Sequence, residues 1–241
     1  MKEKLYTIPV NEAYDSEHEC PLCYIRETLE RQAIEYTMGP SYMEDDVRAV
    51  TDKHGFCSNH VSLLYQDQNR LGLALMLKTH MDNTLATIEK LASKPPKSSS
   101  GFFSRKKEET PLVSYIKELE ESCFICDKIN NTFDRYISTI FVLYKTDEGF
   151  RKKTSQIKGY CTSHYGLLYD KAPSFLRGDY LESFINDLNN VFIDNIKRVR
   201  DDLDWFIDKF DYRYKDAPWK NSQDALPRSI IKTNSKNVTN S

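Results

Sequence analysis

Apolar residues recur along most of this chain every three or four positions, which is the spacing of one face of an α-helix. Four stripes carry the pattern most clearly, and in chain order they comprise Ile25, Leu29 and Tyr36; Ala74, Leu77, Met81, Leu85, Ile88 and Leu91; Ile129, Phe133, Ile137, Ile140 and Tyr144; and Leu181, Phe184, Leu188, Val191, Val199, Leu203, Phe206 and Phe210. No alternation of comparable strength indicates a β-strand, and the chain has only eight glycines. The pattern therefore predicts an all-α protein in which the second and fourth stripes form core or helix-pairing faces.

The predicted helices fall into two halves of similar organisation. Residues 55–65 and 159–169 match at most positions, which indicates an internal duplication. Between the halves lies a stretch rich in Ser, Pro and Lys, with the composition of a linker. We predict two tandem helical repeats that pack together through their long helices. The predicted segments are a first repeat at 1–92, a flexible linker at 93–111, a second repeat at 112–214, and a C-terminal extension at 215–241 that is partly docked and then disordered.

All six cysteines belong to a ligand pattern that occurs twice. Each copy has a C-x-x-C pair followed by a C-x-x-H pair, with 33 residues between the pairs in the first copy and 34 in the second. Two residues between ligands let both side chains of a pair reach one ion, and two pairs complete a tetrahedron. The candidate ligands are Cys20, Cys23, Cys57 and His60 in the first copy, and Cys123, Cys126, Cys161 and His164 in the second.

Three thiolates and one imidazole are typical of zinc, and a closed tetrahedron leaves no position for a catalytic water. We therefore predict two structural zinc ions per chain. The duplication favours binding of each ion within one copy, although the sequence leaves open an exchange of pairs between the copies. Each C-x-x-C pair is predicted at the entrance of a helix, where the helix dipole favours thiolate over thiol, and each C-x-x-H pair is predicted to open a short helix.

Two other interpretations use the same cysteines. An iron-sulfur cluster is an alternative cofactor, but the closely spaced cysteine runs of ferredoxins are missing. A thiol-based redox sensor or redox-controlled chaperone could also use them and could release zinc on oxidation, but the βαβ context of a thioredoxin-like motif is missing. Among the remaining histidines, His18 could compete for the metal or orient Cys20, although an exposed loop position is the favoured interpretation.

Charge and hydropathy limit the location and the partners. We predict a cytoplasmic protein, because the chain has no apolar stretch behind a basic start and no run of about 18 apolar residues, so no membrane association is expected. Thiols stay reduced in that compartment, which favours metal binding over disulfides. Residues 1–92 have nine Lys and Arg against fifteen Asp and Glu, whereas the linker and tail are mildly basic. Nucleic-acid binding is therefore unlikely to be the function, although the basic linker and tail keep it as a weaker alternative.

The sequence contains no residue pattern that supports an enzyme hypothesis. No phosphate loop, dinucleotide fingerprint or nucleophile elbow is present, and the acidic residues 44–46 lack a base or nucleophile that can be placed near them. The leading hypothesis is a non-enzymatic interaction or adaptor module with two structural zinc sites and a protein partner. The sequence does not indicate the identity of that partner or the oligomeric state.

A family resemblance is carried by residues 6–13, 20–23, 39–48, 70–76, 204–207, 211–214, 219–222 and 224–228. Together these segments resemble an uncharacterised bacterial family, a domain of unknown function, and the resemblance covers nearly the whole chain. It implies that the chain through Arg228 belongs to the fold, which supports docking of Trp219. Members are sometimes labelled substrate-binding proteins of ABC transporters. Such a protein needs export and a cleft between α/β lobes, and this sequence predicts neither.

Overall fold

A computed structural model describes residues 3–93 and 109–238 of the chain. These residues form α-helices, two short 3-10 helices at Pro40–Met43 and Tyr212–Tyr214, and connecting segments, and they contain no β-strand, which confirms the predicted all-α class. The α-helices are α1 (Glu3–Asp15), α2 (Pro21–Met38), α3 (Asp45–His54), α4 (Ser58–Gln66), α5 (Arg70–Ala92), α6 (Pro111–Glu121), α7 (Phe124–Thr146), α8 (Glu148–Thr154), α9 (Thr162–Phe175), α10 (Gly178–Asp208) and α11 (Ala225–Asn234). Most of the predicted linker, at 94–108, lies outside the described residues.

The stripes on α7 and α10 are buried largely as their periodicity predicts. On α7 all five positions of the stripe are buried, namely Ile129, Phe133, Ile137, Ile140 and Tyr144. On α10 the buried positions are Phe184, Leu188, Val191 and Val199. Phe210 lies just beyond the end of α10 and is 76% exposed, so the apolar stripe extends past the part of the helix that is packed against other residues.

The stripe predicted on α5 as a core or helix-pairing face is only partly covered, although α5 packs against α3, α4 and α6. Met81 and Leu85 are 68% and 59% exposed. Burial on α5 is confined to its N-terminal half, where Leu73 and Met76 pack with Leu64 and other apolar residues. The physical reason is helix length. The helix α3 packs against α5, but α3 has 10 residues and α5 has 23, so α3 covers only part of the longer helix.

The described chain separates into two compact units, of which the first is built from two separate segments and the second from one continuous segment. The first unit comprises residues 1–28 and 132–241, and the second comprises residues 29–131. The boundaries fall inside α2 and α7. The units therefore differ from the predicted repeats at 1–92 and 112–214. Each unit combines the C-x-x-C pair of one copy with the C-x-x-H pair of the other.

In the first unit, α11 packs against α9 and α10 and carries a buried lysine. The Nζ atom of Lys232 donates to the backbone oxygens of Glu19, at 2.6 Å, and of Lys158. It also lies 3.0 Å from the Glu19 carboxylate, which accepts a 2.6 Å bond from Arg198. Burial lowers the pKa of Lys232, and the Glu19 carboxylate opposes that effect. A buried charge of this kind needs its partners, so these contacts hold α11 to the chain just before Cys20.

Two glycines turn the chain into the helices that begin with C-x-x-H pairs. Gly55 has φ +56° and Gly159 has φ +91°, a region of backbone conformation that favours glycine. Each lies two residues before a cysteine ligand, Cys57 or Cys161. A Cβ atom at Gly159 would lie 2.7 Å from the Cβ of Asn195, which is closer than real side chains pack. The turn therefore requires glycine both for its backbone angle and for space.

Gly159→Ala should lower the free energy of unfolding by about 2 kcal/mol, because the new Cβ is strained and overlaps Asn195. Gly166→Ala is the matched control: Gly166 lies within α9, is exposed and has no atom within 4 Å of an added Cβ. That change should raise the free energy of unfolding by roughly 0.5–1 kcal/mol. Urea unfolding followed by circular dichroism measures both changes. Equal effects of the two substitutions would contradict this account of the turn.

Candidate metal centres

The first cluster lies in the first unit and consists of Cys20, Cys23, Cys161 and His164, all of them buried. Its four ligand atoms lie within 4.8 Å of one another. The Nδ1 atom of His164 is 3.5 Å from the Sγ of Cys20, 3.4 Å from that of Cys23 and 3.1 Å from that of Cys161. The Sγ atoms of Cys23 and Cys161 are 3.6 Å apart.

The second cluster lies in the second unit and consists of Cys57, His60, Cys123 and Cys126. The Nδ1 atom of His60 is 3.3 Å from each of the three Sγ atoms. The Sγ atoms of Cys57 and Cys126 are 3.9 Å apart. His60 and Cys123 are buried, whereas Cys57 and Cys126 are partly exposed.

These distances match the edges of a tetrahedron around one zinc ion. With Zn–S bonds of about 2.3 Å, two sulfurs at tetrahedral positions lie about 3.8 Å apart, and a sulfur and an imidazole nitrogen lie about 3.6 Å apart. The sulfur pairs at 3.6 and 3.9 Å and the nitrogen-sulfur contacts at 3.1–3.5 Å are close to these values. The donor set and its spacing therefore fit a single tetrahedral metal ion in each cluster.

All eight residues singled out from the sequence fall in the two clusters, but the prediction that each ion is bound within one copy is wrong. The pair Cys20–Cys23 is completed by Cys161 and His164, and the pair Cys123–Cys126 is completed by Cys57 and His60. The pairs are thus exchanged between the copies.

Contacts outside the ligands give the physical reason for the exchange. In the second unit the backbone N–H of Phe124 donates to the backbone oxygen of Gly55 at 3.0 Å. In the first unit the Nζ atom of Lys232 donates to the backbone oxygens of both Glu19 and Lys158. These bonds hold the chain before each C-x-x-H pair beside the C-x-x-C pair of the other copy.

Helix N-termini position the thiols, as the sequence predicted. Cys57 and Cys161 are the N-cap residues of α4 and α9, while Cys20 and Cys123 directly precede α2 and α7. The backbone N–H of His164 donates to the Sγ of Cys161 at 3.4 Å. Unpaired amide groups and the helix dipole at these ends stabilise negative charge on sulfur, which suits thiolate ligands.

A carboxylate orients the imidazole of the second cluster. The Oε1 atom of Glu30, on α2, lies 3.0 Å from the Nε2 of His60, so that Nδ1 faces the three thiols. A hydrogen bond from the distal ring nitrogen fixes the tautomer of a metal-binding histidine and raises its basicity. In the first cluster the ring of Phe133 packs against His164 with 5.6 Å between ring centroids. No local pattern in the sequence marks Glu30 as a neighbour of His60, and the periodicity marks Phe133 only as a core residue of α7.

His18 supports the first cluster without joining it. Its side chain is 12% exposed, and its Nδ1 accepts a 3.1 Å hydrogen bond from the backbone N–H of Cys20. The expected loop position is confirmed, because His18 lies between α1 and α2, but the expected exposure is wrong, because the ring folds back over the entrance of α2. Its contact is with the backbone of a ligand, which is the orienting role that the sequence left open.

Without a cation, the clustered thiols compete for protons. Burial raises the pKa of Cys20 to about 12, and hydrogen bonds from Cys20 and Cys23 hold the pKa of Cys161 far below its usual range. In the second cluster burial raises the pKa of Cys126 to about 12, whereas hydrogen bonds from His60 and neighbouring groups outweigh burial and lower that of Cys123 to about 6. A divalent cation would allow every thiol to ionise, so the electrostatics also fit a metal.

Metal binding should release protons, and affinity should rise with pH. Burial opposes a charge on His60, but hydrogen bonds to Cys123 and Glu30 raise its pKa to about 10 in the metal-free protein. Below that pH the ring is protonated, and so is Cys126 below its pKa of about 12. At pH 7 the second cluster should thus lose at least these two protons for each ion bound. Calorimetry in buffers with different ionisation enthalpies measures this number, and a heat independent of the buffer would contradict the prediction.

The fold and the two centres define a class: an all-helical protein with two clusters of three cysteines and one histidine, each assembled from helix N-termini. The chain belongs to a family of unknown function, DUF6062, whose model matches residues 1–240. This confirms the resemblance to an uncharacterised family. Neither the curated proteins nor the solved structures contain a match. Within 3–93 and 109–238, every helix is too short or too polar to cross a bilayer.

Proposed function

We propose that each cluster binds one zinc ion and that both ions are structural. The observation that carries this proposal is the convergence of three thiols and one imidazole on a single point, twice, at the distances of a tetrahedral ion. An iron-sulfur cluster is the less suitable occupant. It contains several metal atoms and would hold its protein ligands farther apart than these contacts.

Four protein ligands per ion support a structural role. A catalytic zinc keeps one position open for water or substrate, whereas Cys161 and His164 complete the coordination begun by Cys20 and Cys23. The ion would tie the start of α2 to the start of α9, and in the second cluster the start of α4 to the start of α7. The first unit joins two separate segments of the chain, and the second cluster joins residues 57–60 to residues 123–126, so an ion in each cluster would stabilise the folded state directly.

The proposed biochemical role is a non-catalytic interaction or adaptor module with a protein partner. A small cavity beside Tyr144 and Asp187 has a volume of about 10 Å³, which is room for one water molecule rather than a substrate. The exposed apolar side chains of α5, including Met81 and Leu85, give a helical surface of the kind that partner proteins cover.

Protein purified without added metal and without air should contain two zinc ions per chain by elemental analysis. X-ray absorption at the zinc edge should fit three sulfur ligands near 2.3 Å and one nitrogen near 2.0 Å per ion. His164→Ala should lower the content to one zinc and destabilise the fold, because it removes a ligand of the first cluster.

The neighbouring change Ser163→Ala is a matched control, since Ser163 is exposed and outside the cluster. It should leave two zinc ions in place. Iron with sulfide, or cysteines already paired as disulfides in the purified protein, would contradict the proposal.

A further inference from the structure

The two clusters offer the same four donors but are covered differently. In the first cluster Cys20 and Cys161 are each 0% exposed and Cys23 is 2% exposed. In the second cluster Cys57 and Cys126 are partly exposed, and only Cys123 and His60 are buried. A solute of the size of hydrogen peroxide can therefore reach sulfur in the second cluster more easily than in the first.

The C-terminal segment covers the first cluster. Ser235, which follows α11, donates from its Oγ to the Sγ of Cys161 at 3.0 Å, and its carbonyl oxygen lies 4.0 Å from the Sγ of Cys23. The Thr162 hydroxyl donates to the backbone oxygen of Lys232 at 3.0 Å, which fixes α11 beside the start of α9. A hydrogen bond to a thiolate withdraws charge from sulfur and weakens it as a nucleophile. The segment thus protects the first cluster both sterically and electronically.

The partly exposed sulfurs of the second cluster are also neighbours. The Sγ atoms of Cys57 and Cys126 lie 3.9 Å apart, at the N-cap of α4 and in the first turn of α7. Cys123 is 1% exposed, which makes it the least accessible thiol of the three. An oxidant that reaches this cluster therefore meets two adjacent cysteines that come from different helices.

We propose that the second cluster is an oxidant-responsive site, in which a peroxide joins Cys57 and Cys126 in a disulfide and releases the metal ion, while the first cluster keeps its ion. This inference rests on the proposed function, because it requires zinc in both clusters. It assigns a permanent structural role to the first site and a reversible, regulatory role to the second.

The chemistry balances with peroxide as the only co-reactant. One thiolate attacks a peroxide oxygen, which breaks the O–O bond, forms a sulfenic acid and releases hydroxide. The second thiolate attacks that sulfur, forms the S–S bond and releases the second hydroxide. Two electrons pass from the two sulfurs to the two oxygens, and the two hydrogens of the peroxide leave on the two hydroxides. The zinc ion, left with Cys123 and His60 as ligands, dissociates, and a dithiol reductant reverses the step.

The test uses the full chain after its zinc content has been measured. Hydrogen peroxide is added in steps, released zinc is followed with a colorimetric chelator, and disulfides are mapped by mass spectrometry after alkylation of the free thiols. The expected result is loss of one of two zinc ions, with a disulfide between the peptides that contain Cys57 and Cys126. Addition of zinc and a dithiol reductant should restore the second ion.

The outcomes separate the two proposals. If two ions are present at the start but leave together, or if Cys20, Cys23 or Cys161 is oxidised first, this inference is overturned and the proposed function stands. A disulfide between Cys123 and Cys126 would overturn the assignment of the reacting pair. If no zinc is present at the start, the proposed function fails and the inference fails with it.

A substitution in the C-terminal segment tests separately whether this segment protects the first cluster from peroxide. Ser235→Ala removes the hydroxyl that bonds Cys161, so the first cluster should lose its ion at a lower peroxide concentration than in the unmodified protein. Thr233→Ala is the matched control, because this hydroxyl on the last turn of α11 bonds Ser229 and Asn234 instead. Identical behaviour of the two variants would show that Ser235 does not protect the site.

Discussion

The crowding of three thiols and an imidazole at two points is the constraint on which the rest of this structure depends. In the first cluster the sulfurs of Cys23 and Cys161 lie 3.6 Å apart in a buried site, where ionisation of one thiol raises the cost of ionising the next. A bound divalent cation would remove this conflict and would link the four ligand residues to one another. The helix N-termini that surround the thiols act in the same direction.

This constraint explains why residues far apart in the chain meet in each unit. The first unit joins residues 1–28 to residues 132–241, and its cluster lies where these two stretches meet. The buried ion pair between Lys232 and Glu19 strengthens the same region and brings the C-terminal helix to it. The segment that covers this cluster, α11 with Ser235, belongs to the first unit itself. The greater burial of the first cluster therefore comes from the C-terminal segment of the same unit rather than from a difference between the two sets of ligands.

The sequence predicted the helical class and the eight candidate ligands, because both depend on local spacing: the period of apolar residues on α7, and the two residues inside each Cys pair. It did not predict which pairs meet, because the two copies carry identical donors and nearly equal spacers. Contacts between distant residues, such as the backbone hydrogen bond from Phe124 to Gly55, decide between the partners. Contacts such as Glu30 with His60 and Ser235 with Cys161 join residues far apart in the chain, and no local pattern marks them.

The exchange of pairs is the central claim, and two double variants test it most directly by their zinc content. Cys23→Ser with Cys161→Ser removes two ligands of the first cluster and should leave one zinc ion on the second. Cys23→Ser with Cys57→Ser removes one ligand from each cluster and should weaken both sites, so that the zinc content falls toward zero. The opposite result, with one ion kept by the second variant and both lost by the first, would show that each copy binds its own ion and would contradict the account.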